Sequence, residues 1–205
     1  NDPSLTTINL SSNALFKMKT YDYSKMLAEA LVGNTYVTEL VLNENEITDA
    51  DCEWIKMLLA TNKSITTMSI EKNKISSDGC TLIAQGLETN GTLVALSLMN
   101  NGPFGEGCMD AWLKTFHDNI TLYDLKWRLN SRSSFALNSS ITRNRSIARL
   151  KKEGKEWEHL LPDHLRAVKP PAPAGPPADE PEEPPAEPAA EVPPAEAADE
   201  IATEA

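Results

Sequence analysis

Cysteine, histidine and long apolar runs are all scarce in this chain. The three cysteines, Cys52, Cys80 and Cys108, are odd in number and show no CxxC spacing, which argues against a disulfide framework and fits a reducing compartment. His117, His159 and His164 offer little for acid–base chemistry, and none stands in a metal-ligand pattern. There is no G-x-S-x-G, no Walker loop and no carboxylate pair beside a plausible nucleophile. The Gly-rich stretch "NNGPFGEG" (Asn100–Gly107) lacks a following Lys-Ser/Thr pair and reads as a loop rather than a phosphate cradle. No catalytic residue, metal or cofactor is therefore expected, and an enzyme has no residues to rest on. No run approaches the roughly 18 apolar residues of a membrane span, and no signal-peptide pattern opens the chain. The first residue is Asn rather than Met, so a preceding N-terminal region is expected.

Basic residues are absent from one whole region. Between Pro170 and Ala205 there is no Lys or Arg, against 10 acidic residues and 11 of the 14 prolines. That composition cannot bury enough apolar surface to fold and predicts an extended, disordered spacer. Two regions are expected: a folded domain over 1–168 and an acidic Pro/Ala/Glu-rich tail over 169–205. The net charge of −11 resides mostly in the tail.

What the chain does have is a repeat. Aligned on one Asn, the segments read "LTTINLSSN" (Leu5–Asn13), "VTELVLNEN" (Val37–Asn45), "ITTMSIEKN" (Ile65–Asn73), "LVALSLMNN" (Leu93–Asn101) and "LYDLKWRLN" (Leu122–Asn130). The anchoring Asn residues are spaced 32, 28, 28 and 29 apart, the period of a long leucine-rich repeat with one strand and one helix per unit. Alternate apolar residues such as Leu40 and Leu42 point inward from a short strand. The Asn amide, both donor and acceptor, satisfies backbone groups where the chain leaves that strand. Helices then cover the strands, as in "EWIKMLLATN" (Glu53–Asn62) with Ile55, Leu58 and Leu59 on one face, and "MDAWLKTFHDN" (Met109–Asn119) with Trp112, Leu113 and Phe116. Helix ends fall near Asn34, Asn62, Asn90, Asn119 and Asn144, where Asn suits a left-handed C-cap. The expected fold is α/β: a leucine-rich-repeat solenoid of about five strand–helix units with a parallel concave sheet and a C-terminal capping helix, "SIARLKKEGKEWEHLL" (Ser146–Leu161).

The repeat also explains other patterns. The cysteines lie 28 and 28 apart, one small buried position repeated near each helix start. The Asn-x-Ser/Thr triplets at Asn62, Asn90, Asn119 and Asn144 are helix-end positions, not glycosylation sites.

Charge divides the folded part. Residues 1–124 carry 8 basic and 16 acidic side chains; residues 125–155 carry nine basic side chains and one acid, Glu153. The final strand, "LKWRLNSR", is expected to set Lys126 and Arg128 on the concave edge. With Arg132, Arg143, Arg145, Arg149, Lys151 and Lys152 they form a basic C-terminal edge suited to an acidic protein surface. No base-stacking motif accompanies it, so nucleic acid is not the expected partner.

Three stretches carry a family resemblance: "NDPSLTTINLSS", "IEKNKISSDGCTLIAQGLETNGTL" and "SFALNSSITRNRSIARLKK". Over roughly residues 1–155 the chain resembles the C-terminal leucine-rich-repeat domain of the tropomodulin/leiomodin family. The resemblance implies a cytoplasmic, cytoskeletal protein that binds actin and caps filament pointed ends or, in leiomodins, promotes nucleation. It implies that the basic edge meets acidic actin, with weaker loop contacts from Asn100, Pro103 and Phe104. Tropomyosin binding would need a region N-terminal to these residues, and no membrane partner is implied. "HLLPDHLRAVKPP" (His159–Pro171) ends faintly like a WH2 actin-binding segment, but Pro162 interrupts its helix and a helix stop is the reading preferred. The alternative is a leucine-rich-repeat scaffold for a non-actin cytoskeletal partner. A GTPase activator of leucine-rich-repeat type would use a longer array.

Overall fold

Five three-residue strands form one parallel sheet in chain order: β1 (Thr7–Asn9), β2 (Glu39–Val41), β3 (Thr67–Ser69), β4 (Ala95–Ser97) and β5 (Asp124–Lys126). The helices are α1 (Ala14–Met18), α2 (Thr20–Val32), α3 (Cys52–Thr61), α4 (Ser77–Leu87), α5 (Met109–Asp118) and α6 (Ser134–Lys152). This computed structural model describes residues 2–128 and 134–166; the tail expected over 169–205 lies outside them.

The sheet register reproduces the sequence repeat. Ile8, Leu40, Met68, Leu96 and Leu125 pair in one row across all five strands. Leu40, Met68 and Leu96 are buried, whereas Ile8 and Leu125, on the two edge strands, are partly buried. Their strand neighbours Thr7, Glu39, Thr67 and Ala95 point to the opposite face, as alternation requires. Each helix seals the other side of the core: Ile55, Leu58 and Leu59 from α3, Ile83 and Leu87 from α4, and Trp112 and Phe116 from α5. Leu113, expected on the same face of α5, is only partly buried.

Two rows of Asn hold the stack together. At the strand ends, Asn45 donates to the Leu10 carbonyl at 2.8 Å and Asn73 to the Leu42 carbonyl at 3.1 Å. Asn101 likewise donates to the Ile70 carbonyl at 2.9 Å. Each bond reaches back one repeat and satisfies a carbonyl that water cannot. At the helix ends, Asn62 donates to the Leu31 carbonyl at 2.7 Å, Asn90 to Leu59 at 2.7 Å and Asn119 to Leu87 at 3.0 Å. Their side-chain oxygens accept from amides leading into the next strand, for example Ile65 at 2.8 Å and Leu93 at 2.7 Å. These amides are buried and occupied, in keeping with a structural role for the triplets they begin.

The backbone at these positions corrects one expectation. Asn62 and Asn119 are extended, with φ of −71° and −73°, rather than left-handed. The extended form aims the side chain back at the preceding turn, which a left-handed cap would not. Left-handed backbone falls instead on Ser12, Glu44, Lys72 and Asn100, each one residue before a strand-end Asn, with φ between 52° and 59°, and on Glu46 at 61°. A single left-handed residue turns the chain off the strand so that the following Asn faces inward.

A second correction concerns the last helix. No break occurs near Asn144, and no separate helix begins at Ser146. One helix, α6, runs from Ser134 to Lys152, and Gly154 at φ +65° ends it. The segment beyond forms two short 3₁₀ turns, Glu158–Leu160 and Asp163–Leu165. Asn144 still makes the repeat's bonds, donating from inside the helix to the carbonyls of Asn119 and Leu122 at 2.9 Å each. The helix thus closes the solenoid end without an interruption.

Close helix packing accounts for the small residues. A Cβ on Gly86 of α4 would lie 2.8 Å from the Lys56 carbonyl oxygen of α3. Cys52, Cys80 and Cys108 are free and buried, and Trp112 Nε1 donates to Cys80 Sγ at 3.1 Å. Burial pushes the Cys52 and Cys80 thiols up, so both stay protonated and unreactive.

Candidate functional site

The basic residues gather on β5, the last strand of the sheet, and on α6 beyond it. Leu137, Ile141, Asn144 and Ile147 are the buried positions of α6, spaced by three or four residues along one face. That spacing fixes the rest of the helix. Arg145, Arg149 and Lys152, at i, i+4 and i+7, share a different and exposed face. No acidic residue occurs in α6, and the basic side chains of its last turn complement the helix dipole.

The predicted cations have distinct surroundings. Arg145 donates to the Tyr123 carbonyl at 3.2 Å, which ties the exposed face of α6 to the chain entering β5. Arg149 and Lys152 are exposed and form no ion pair among the described residues. Lys151 places its ammonium 3.9 Å from the centre of the Trp157 ring, a cation–π contact. Lys126 is exposed at the end of β5, with Asp124 at 3.6 Å, and Arg128 is exposed just past it. Arg132 lies outside the described residues.

Two expected contact residues serve the fold instead. Arg143 is half-buried and donates to the Phe116 and Asn119 carbonyls at 2.9 and 3.3 Å, satisfying the C-terminal end of α5. Phe104 is fully buried, its ring 6.0 Å from that of Trp127, so it packs the core under its loop. Its neighbours Asn100 and Pro103 are exposed.

Residues 1–147 match the family model described as the TMOD/LMOD Leucine-rich domain. The chain belongs to this tropomodulin/leiomodin family. No curated protein matches it. Among solved structures it is similar to "Leiomodin-1 Actin-Binding Site 2 (ABS2)", at 26% identity and a TM-score of 0.67, over 75% of this chain and 88% of that one. A tropomodulin C-terminal domain from Caenorhabditis elegans shares the fold, at 17% identity and a TM-score of 0.67, over 75% of this chain and 92% of that one. Within the tropomodulin/leiomodin domain described here, no helix among the described residues is long and apolar enough to cross a membrane.

Two features of this family member escape sequence reasoning. The first is a polar ladder at the left-handed turns: Ser12 donates to Glu44 at 2.8 Å, and Lys72 lies 2.6 Å from the same carboxylate. Lys74 and Glu46 pair alongside at 2.8 Å. The one available signal was that a polar residue, Ser12, Glu44, Lys72 or Asn100, precedes four of the five strand-end Asn residues, Leu129 preceding the fifth. The second joins two histidines that stand in no metal-ligand pattern in the sequence. His117 Nδ1 and His164 Nε2 lie 2.8 and 2.6 Å from one oxygen of Asp118. Hydrogen bonds from His164 and then His117 hold the Asp118 carboxyl below its ordinary value.

Proposed function

We propose that this domain binds actin through the basic edge formed by β5 and α6, and that it acts at filament pointed ends. One observation carries the reading. In a domain of this family, similar to a leiomodin segment named as an actin-binding site, Arg149 and Lys152 project from an acid-free helix with no partner among the described residues. Arg145 on the same face of α6, together with Lys126 and Arg128 at the end of β5, would complete a positive surface that complements an acidic one. Arg143 has no part in it, because its guanidinium is engaged by the end of α5. The solenoid holds these groups on regular elements, so little is reordered on docking. Docked on terminal subunits, the domain would obstruct the next monomer and slow addition and loss. The protein would then reside in the cytoplasm with the cytoskeleton. Tropomyosin contacts, where the whole protein makes them, would belong to a region preceding this domain.

Elongation of pyrene-actin from barbed-end-capped seeds tests the reading, together with cosedimentation. Dose-dependent slowing is expected from the domain. The double reversal Arg149→Glu, Lys152→Glu should weaken it, and more at low salt than at high. An unaltered effect removes the edge from the mechanism. Failure of the unaltered domain to bind actin in any form shifts the assignment to a scaffold for another cytoskeletal partner.

A further inference from the structure

The cluster at the end of α5 is built from parts that are distant in sequence. His117 and Asp118 close α5, while His164 arrives 46 residues after Asp118 on the last 3₁₀ turn. The Nδ1 of His117, the Nε2 of His164 and a carboxylate oxygen of Asp118 all lie within 4.8 Å of one another. Both nitrogens meet the same Asp118 oxygen, at 2.8 and 2.6 Å, and the two rings stack at 3.8 Å with 10° between planes. All three side chains are exposed.

The chain holds His164 in place by its own contacts. Leu161 is buried, Pro162 turns the backbone, and Arg166 donates to the Leu161 carbonyl at 3.0 Å and the His159 carbonyl at 2.8 Å. Arg166 also pairs with Asp163 at 2.8 Å. Arg143 of α6 is turned to the Phe116 and Asn119 carbonyls and leaves the Asp118 carboxylate to the histidines.

We propose that His117, Asp118 and His164 form a site for a divalent transition metal of the zinc class. Two imidazole nitrogens and one carboxylate oxygen are a recurrent zinc donor set, and exposure leaves a fourth position for water. A cation here also meets the negative end of the α5 dipole. Each imidazole would bind through the tautomer that keeps its proton on the other ring nitrogen, and the metal takes the place of the hydrogen bonds to Asp118 between the three ligand atoms. Its consequence is mechanical: the segment after α6 becomes clipped to the end of α5. A site of this kind is independent of actin binding.

Calorimetric titration of the chelator-treated full chain with zinc chloride tests the proposal, read alongside imidazole nitrogen NMR. One saturable zinc per chain is expected, with the largest shifts at Nδ1 of His117 and Nε2 of His164. His164→Ala and Asp118→Asn should each weaken binding at least about tenfold, since loss even of outer-shell partners costs that much. His159→Ala should leave it unchanged. All three positions are exposed, so an unaltered thermal midpoint confirms that the variants fold. Absence of a saturable event, or equal affinity in His164→Ala, overturns the site.

Discussion

Asn144 donates to the Asn119 carbonyl at 2.9 Å, as Asn119 donates to the Asn90 carbonyl at 2.9 Å one repeat earlier. The same bond is made once from an extended residue and once from the middle of a helix. The position of the amide in the stack is what recurs; the local backbone is free to differ.

Replacing Asn144 by Ala takes the side-chain donor from the Leu122 carbonyl and leaves the Asn119 carbonyl only its longer bond from Arg143. An unsatisfied buried group costs about 1–3 kcal/mol, and a loss of that size is expected. Urea denaturation measures it, with Asn138→Ala on the exposed face as the near-neutral control.

Gly86 and Gly91 should respond in opposite directions to the same change. A methyl group at Gly86 meets the Lys56 backbone at 2.8–2.9 Å, and forcing α3 and α4 apart costs about 1–3 kcal/mol. Gly91 has nothing within 4 Å and no left-handed backbone, so Gly91→Ala should stabilise by about 0.4–1 kcal/mol through the unfolded chain. Thermal melts of the two variants decide the matter by the sign of the shift.

Arg143 and Arg149 separate stability from docking. Arg143→Ala removes charged donors from two carbonyls at the end of α5, for an expected loss of about 1.5–3 kcal/mol. Arg149→Ala should change stability by less than about 0.5 kcal/mol while reducing actin affinity. Unfolding curves and cosedimentation on both variants give the two readouts.

The Glu44–Lys72 pair sets a pH window. The hydrogen bond from Lys72 holds the Glu44 carboxyl below its ordinary value, and Glu44 raises the Lys72 ammonium. The carboxylate's contribution is present above the unfolded value of about 4.3 and is lost as pH falls through the lowered folded value. The ammonium's is present below about 10.4 and is lost as pH rises through the raised one. Both groups are exposed, so the effect on stability is small. Carboxyl carbon NMR should show Glu44 titrating at higher pH in Lys72→Met than in the parent chain.

The periodic part of this molecule is legible residue by residue. Leu40, Met68 and Leu96 fall in one row because their spacing in the chain equals one turn of the solenoid, and every copy restates the same constraint. The strand-end Asn residues are legible for the same reason. Arg143, Phe104 and the left-handed turns were not, because a charge count or loop assignment does not reveal which carbonyl or ring lies across the gap.

The sequence by itself determined the strand register, the two Asn rows, the buried cysteines and the basic sign of the closing edge. Each is local or repeated, so neighbouring copies fix it by periodicity. Tertiary structure alone decided that α6 continues through Asn144, that Arg143 faces inward and that His117 and His164 share Asp118. These contacts occur once and join residues far apart in the chain, and no period announces them.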